Sequence, residues 1–362
     1  MPVKDLHAAK FDEGTLVKLE LFQDYLEEWL PVFIHSSHHS SINVIDFFAG
    51  SGTDSEGTAG SPILIFDTIE KHLDTIIDKK LSINVILNDF LKSKYEKLKI
   101  AVNNRIEVNQ RLKKAISVSF YNKDFSKLFF ELSPSLKNES NLIFIDQNGI
   151  KHVCQNVLST LDSFVRSDFL FFISSSYFCR FDFKNYFPDF QKSIDRSKPA
   201  NIHRQISEYY RKKLPMESAT KLYPFTIKKA GGYYGLVFGS KHCLGFEKFL
   251  SICWKKNEIN GEANFDIDEE FKFRQPSLFG DPKVSKLDKF KTDLKNFIFE
   301  NKEVTNKEVL DFTLSRGFEP KQAAIVLREM KKNKQIEHFS HPKIGCKQVY
   351  KDNDIVIFKK RQ

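Results

Sequence analysis

The chain has 362 residues, 41% hydrophobic and 28% charged, the balance of a water-soluble globular protein long enough for two domains. No apolar run reaches the ~18 residues of a membrane span and no signal-type apolar segment opens the chain, so no membrane partner is expected and the reading is cytoplasmic. The formal charge is +9, and residues 286–362 hold 18 Lys and Arg against 11 Asp and Glu, a net +7; such a tail suits either a nucleic-acid partner or a lysine-rich solvated surface.

Phenylalanine is abundant, at 36 residues, so aromatic cores are expected. The five cysteines, Cys154, Cys179, Cys243, Cys253 and Cys346, show no C-x-x-C spacing and read as reduced thiols. The first predicted element is an amphipathic helix over 15–30. Leu16, Leu19, Phe22, Leu26 and Trp29 recur at three- and four-residue steps, and Pro31 is expected to stop it. His35, His38 and His39 follow without a carboxylate or cysteine at ligand spacing, so no metal is expected there.

A short apolar strand over 42–47 then delivers Asp46 into a turn containing Gly50 and Gly52. Glycine permits positive φ and close approach of a ligand to backbone, and an acid beside it can accept from hydroxyl or amine groups. Ser61 is read as an N-cap with Pro62 at the first helical position, opening a helix to about residue 78. Further strands are expected over 84–87, 115–120, 141–145 and 169–173. They end near Asp89, Asp124, Asp146 and Ser174, with helix-length segments between them. That alternation predicts an α/β fold, a Rossmann-like, doubly wound, mostly parallel sheet. Asp46, Asp89, Asp124 and Asp146 would share its carboxyl edge, where such sheets bind ligands. Two more strands are expected at 227–229 and 233–238.

Residues 259–285 break the pattern and read as a linker, placed at 273–285 between a first domain (1–272) and a second (286–362). In the tail, a helix is expected over 287–300. A capping box, Thr305 with Glu308, opens a second helix that ends at Gly317, and Pro320 opens a third. Strands at 335–339 and 348–358, around a turn at Lys343-Ile-Gly345, complete the grammar of a winged helix. On the third helix Lys321, Ile325, Arg328 and Lys332 fall within an arc of about 60° at 100° per residue. Ala323, Val326, Leu327 and Met330 fall opposite. One face packs and one is basic, as in a recognition helix that binds DNA or RNA, with Lys343 and Lys347 adding phosphate contacts from the wing.

Asp46-Phe-Phe-Ala-Gly50-Ser-Gly52-Thr53 resembles motif I of S-adenosylmethionine (SAM) dependent methyltransferases, particularly the amino-methylating class, except that Phe47 stands where that class has proline. More widely, the chain resembles the three-Cys-motif partner protein family (TcmP) over most of residues 14–279. The matches include Lys18-Leu-Glu-Leu, Tyr25-Leu-Glu-Glu-Trp-Leu-Pro31, Gly60-Ser-Pro62, Phe144-Ile-Asp-Gln-Asn-Gly-Ile-Lys151, Phe171-Phe-Ile-Ser-Ser-Ser-Tyr177 and Gly245-Phe-Glu-Lys-Phe-Leu250. The resemblance implies a class I methyltransferase-like fold and a three-Cys-motif protein as partner. It departs at Asp146-Gln147-Asn148-Gly149, where family members often carry Asp-Pro-Phe-Gly, so a stacking aromatic is missing; Tyr177 or Phe178 could supply one, although core packing is the commoner role.

Three functions follow as expectations. In the first, a SAM-dependent methyltransferase acts on nucleic acid. Asp46, Gly50 and Gly52 hold the amino acid end of SAM, Asp89 the ribose, Asn122 or Asp124 the adenine, and Asp146 the target. The second is a non-catalytic adaptor that docks the three-Cys-motif protein and localises it through the winged helix. The third is a nuclease holding Mg²⁺ on clustered acids, ranked last because no metal-binding acid pattern recurs.

Overall fold

The computed structural model describes residues 9–36, 41–147, 149–229, 232–269 and 284–361. His38, His39, Asn148 and residues 274–282 of the expected linker lie outside these. The chain divides into two compact units, Met1–Lys241 and His242–Gln362. The helix after Lys241, read from sequence as the end of the first domain, is grouped with the second.

The first unit opens with α1 (Glu13–Ile34). Its N-cap is Asp12, whose carboxylate accepts from the Thr15 amide at 2.8 Å. Pro31 does not stop this helix; it lies inside it, in the last turn. The missing amide and ring clash of a proline cost least where few intrahelical bonds remain downstream.

Then come β1 (Ile42–Asp46), α2 (Ser61–Glu70), α3 (Leu73–Asp78), β2 (Ile83–Asn88) and α4 (Lys92–Val108). β3 (Ile116–Tyr121), α5 (Phe125–Leu136), β4 (Ser140–Ile145), α6 (Gln155–Ser163) and β5 (Arg166–Ile173) continue the alternation. Short helices α7 (Ser175–Arg180) and α8 (Pro188–Ser193) precede α9 (Ile202–Lys213), and the unit closes with β6 (Lys221–Lys229) and β7 (Gly232–Ser240). The seven strands form one sheet in the order β3-β2-β1-β4-β5-β7-β6. β1 to β5 are mutually parallel, and β7 enters antiparallel between β5 and β6. This is the doubly wound sheet the alternation predicted, and its direction reverses between β1 and β4.

Both faces are covered. On one, α1 lays Phe22 on Phe144, ring centroids 4.4 Å apart, and Tyr25 donates its hydroxyl to Asp168 at 2.6 Å. Trp29 lies farther along α1, its ring 4.5 Å from Phe33. The other face carries a cluster built from α5, α6, α9 and strand residues, rich in phenylalanine as composition suggested. Each fully buried Phe is worth roughly 1.5–3 kcal/mol of transfer free energy. Glycine lets two strands close up at Gly239 of β7: a Cβ there would stand 2.1 Å from Phe169 of β5.

The second unit begins with α10 (Cys243–Lys256). α11 (Lys286–Glu300), β8 (Glu303–Thr305), α12 (Asn306–Ser315) and α13 (Pro320–Lys332) follow, and β9 (Ile357–Lys359) pairs antiparallel with β8. Thr305 and Glu308 form the expected capping box, and a second one joins Glu319 and Gln322. The core gathers Phe290, Leu294, Val309, Val326, Leu327 and Met330 around Trp254. The Trp254 indole donates to the Gly317 carbonyl at 2.9 Å and lies 5.2 Å from Phe318, centroid to centroid.

Three sequence expectations need correction here. Residues 348–358 are not one strand: Lys347–Lys351 is a short helical turn, and only Ile357–Lys359 is strand. Residues 335–339 make only an isolated bridge, Ile336 to Lys360. The five cysteines are not all free either, because Cys243 and Cys346 are paired as a disulfide, while Cys154, Cys179 and Cys253 are free. Among the described residues no helix is long and apolar enough to cross a membrane.

Candidate functional site

The parallel register sets the site. Asp46 ends β1 level with Leu87 of β2 and Phe144 of β4, so Asp89 and Asp146, each two residues farther on, flank the turn that follows β1. Gly50 and Gly52 in that turn have φ of 64° and 85°. At Gly52 a side chain would be both strained and 2.9 Å from the Ala101 Cβ. The Gly50 amide donates to Asp89 at 3.1 Å, and the Ala49 amide to the Asn88 carbonyl at 2.9 Å. The Leu91 amide holds the other Asp89 oxygen at 2.8 Å. Beyond the glycines the loop folds back on itself through a bridge between Thr53 and Ala59. Asp54 ties it down. Burial would raise its carboxyl, but the amides of Phe11, Thr58 and Glu56 bring it to about 2.

Asp46 differs from the sequence expectation. Its carboxylate is fully buried and accepts from the Ser61 hydroxyl at 2.6 Å and the Phe48 amide at 2.9 Å. It therefore shapes the turn and does not open toward a ligand. Burial is the main cause that raises its carboxyl to about 7; Ser61 and Phe48 oppose this, Asp146 adds to it, and Lys18 opposes it. Ser61, expected as an N-cap, is instead the first residue of α2, with Gly60 as the cap. Its hydroxyl is spent on Asp46. Asp124 caps α5, accepting from the Ser126 and Lys127 amides at 3.0 and 3.3 Å. Asn122 donates to the carbonyls of Asp89 and Phe90 at 2.7 and 2.9 Å, so it fixes the loop after β2.

Asp146 is ion-paired to Lys18 of α1, whose ammonium also lies 4.8 Å from the Phe172 ring centroid. Sequence reading gave Lys18 no role beyond a family match, because 128 residues separate it from Asp146. Gln147 is buried, accepts from the His152 amide at 2.8 Å, and keeps its Nε2 without an acceptor among the described residues. Phe178 is core, as the commoner role for such a ring implied. A different ring is exposed at this edge. Phe90, next to Asp89, is 66% exposed. The half-buried Phe48 and His152 and the buried Phe125 form a triangle with centroid distances of 5.2, 5.2 and 5.3 Å. Burial and then the Lys151 charge lower His152 to about 4, so its ring is neutral at pH 7. The sequence signal was present: a phenylalanine follows the acid at Asp46-Phe47-Phe48 and again at Asp89-Phe90.

In the second unit, α13 divides as its periodicity required. Lys321, Ile325, Arg328 and Lys332 are exposed, and Ala323, Val326, Leu327 and Met330 are buried. Lys321 is ion-paired with Glu319 at 2.7 Å. Lys343 is ion-paired with Asp354 at 3.2 Å, and Lys347 is exposed at the start of the helical turn.

Residues 264–342 match the family model of a GMT-like wHTH domain, so the expected winged-helix domain is present. No curated protein matches the chain in sequence. Among solved structures the chain is similar to protein LPL1258 from Legionella pneumophila str. Philadelphia 1, of the DUF519 family, at 11% identity and TM-score 0.35, over 63% of this chain and 86% of that one. It is also similar to the DszA carbon methyltransferase at 9% identity and TM-score 0.33, over 64% of this chain and 55% of that one.

Proposed function

We propose that the protein is a SAM-dependent methyltransferase acting on nucleic acid, working beside a three-Cys-motif protein. The observation that carries this reading is the juxtaposition, at the switch point of the sheet, of the left-handed glycine turn after β1 and Asp146 after β4. A ligand lying across the turn meets backbone at Gly50 to Gly52, the rim of Asp89, and the exposed Phe90 ring, which suits a ribose and a purine face. The buried Gln147 Nε2, without an acceptor among the described residues, adds a donor that a polar ligand can satisfy. SAM, when bound, supplies the reactive sulfonium methyl group. The chain's own work is positioning. Asp146, with its charge partly answered by Lys18, is suited to accepting a hydrogen bond from an acceptor amine and fixing its direction. The half-buried rings of Phe48 and His152, backed by the buried Phe125, offer the aromatic surface that the absent Asp-Pro-Phe segment would otherwise have supplied.

The exposed cations of α13 support nucleic acid as the substrate class, since a basic helix face opposite a packed one places charge where phosphates lie. The three-Cys-motif partner is inferred from the motif matches over residues 14–279. The deciding experiment is calorimetric titration with SAM and S-adenosylhomocysteine. Binding is expected for wild type and for Asp146→Ala, with methyl transfer lost only in the latter. Absence of binding at millimolar ligand sinks the enzyme reading and leaves the adaptor, in which the sheet docks the partner and the winged helix localises the pair.

A further inference from the structure

Outside the sheet site, one cluster of donor side chains has no part in the proposed function. Cys243 opens α10, and Glu247 lies one turn later, about 40° around the helix, on the same face. Cys346 comes from 103 residues farther on and is almost fully buried. Its own amide donates to Glu247 Oε2 at 2.8 Å, which anchors the carboxylate beside it. The two sulfurs and a Glu247 oxygen all lie within 4.8 Å of one another.

We propose that Cys243, Glu247 and Cys346 form a site for a thiolate-preferring divalent cation of the zinc type, with a fourth position open to water. The donor set decides the class. Two thiolates favour zinc over magnesium or calcium, which take oxygen ligands, and one carboxylate is compatible with zinc's tetrahedral shell. Zinc bonds of about 2.3 Å to sulfur and 2.0–2.2 Å to oxygen place tetrahedral donors roughly 3–4 Å apart. The three donors are already gathered near that span, and the Cα atoms of the two cysteines are 6.0 Å apart. A disulfide engages the two sulfurs and gives the carboxylate no part in the bond; a cation engages all three groups.

The two states exclude each other and interconvert by a two-electron step. A dithiol reductant gives two electrons and two protons to the disulfide, yielding two thiols. The thiols release two protons when they bind the cation.

The test uses the full chain, reduced with a phosphine, desalted without oxygen, and titrated with Co²⁺. Five titratable thiols are expected after reduction, from the five cysteines of the sequence. One equivalent of Co²⁺ should then develop a thiolate-to-cobalt charge-transfer band and tetrahedral visible bands, displaced by Zn²⁺. The bands should vanish in Cys243→Ser with Cys346→Ser and persist in Cys154→Ser with Cys179→Ser. Glu247→Gln should weaken the Co²⁺ affinity at least tenfold, and it tests the site even if the double cysteine variant does not fold. Three thiols after reduction, a full thiol count without saturable bands, or unchanged affinity in Glu247→Gln would each overturn the proposal.

Discussion

Asp46 gives the sheet domain a pH dependence of unusual sign. In the folded chain its carboxyl is raised from 3.8 to about 7, chiefly by burial. Between about pH 4 and 7 the unfolded chain has this group ionised while the folded chain keeps it protonated. The folded state then binds one more proton, so its stability falls as pH rises through that window and levels off above about 7. A shift of about three units at 1.36 kcal/mol each amounts to about 4 kcal/mol. Asp46→Asn removes the titration and preserves the partners, since the amide oxygen can accept from Phe48 and the Ser61 oxygen can accept from the new NH₂. Wild type and variant should therefore have similar stability near pH 4. They should diverge until the variant is more stable by up to about 4 kcal/mol at pH 8. Urea unfolding followed by circular dichroism from pH 4 to 8 measures this, and the difference curve removes groups such as Asp54, whose lowered carboxyl works in the opposite direction. A difference that stays flat across that range would refute the assignment of burial as the dominant cause.

Three further outcomes are expected. Gly239→Ala pushes a methyl into the Phe169 ring and should cost about 1–3 kcal/mol, with part of the loss restored by Phe169→Leu; equal melting temperatures for wild type and variant would show that β5 and β7 can separate freely. Lys18→Met leaves Asp146 without its cation and should destabilise by about 2 kcal/mol, discounted from fully buried pairs because Asp146 is 22% exposed. Adding Asp146→Leu should recover most of that loss, and the recovery is absent if the pair is incidental. Replacing Lys321, Arg328 and Lys332 with Ala should lower the salt dependence of duplex binding by up to about three phosphate contacts, read by fluorescence anisotropy; an unchanged slope removes α13 from the interface.

The strands and their acidic ends were legible because a parallel strand is buried on both faces and reads as a short apolar run ending in polar residues. Asp46, Asp89, Asp124 and Asp146 reach the same edge for that reason. What the side chains do there was not legible. Whether a carboxylate faces solvent or a local donor depends on the loop around it: Asp46 went to Phe48 and Ser61, Asp89 to Gly50 and Leu91, and Asp124 to Ser126 and Lys127. Lys18 with Asp146 and Cys243 with Cys346 are joined across more than a hundred residues, beyond any spacing rule. The wing failed for another reason. Gln348-Val349-Tyr350 alternates as a strand would, yet Asp352 donates back to Lys347 and closes a helical turn instead.

The sequence has two tryptophans, and the fold gives one to each unit. Trp29 sits in the helix that roofs the sheet, and Trp254 in the core of the winged domain. Each unit thus carries its own optical label. Trp29→Phe leaves an emission spectrum that belongs to the winged domain, and Trp254→Phe leaves one that belongs to the sheet. Trp254 is the more informative of the two. Its indole donates to the carbonyl of Gly317, three residues before α13, and the Lys286 ammonium lies 5.3 Å from its ring. A displacement of α13 when the domain engages a polyanion would change the polarity around that indole, so capture can be followed by the protein's own light without a dye.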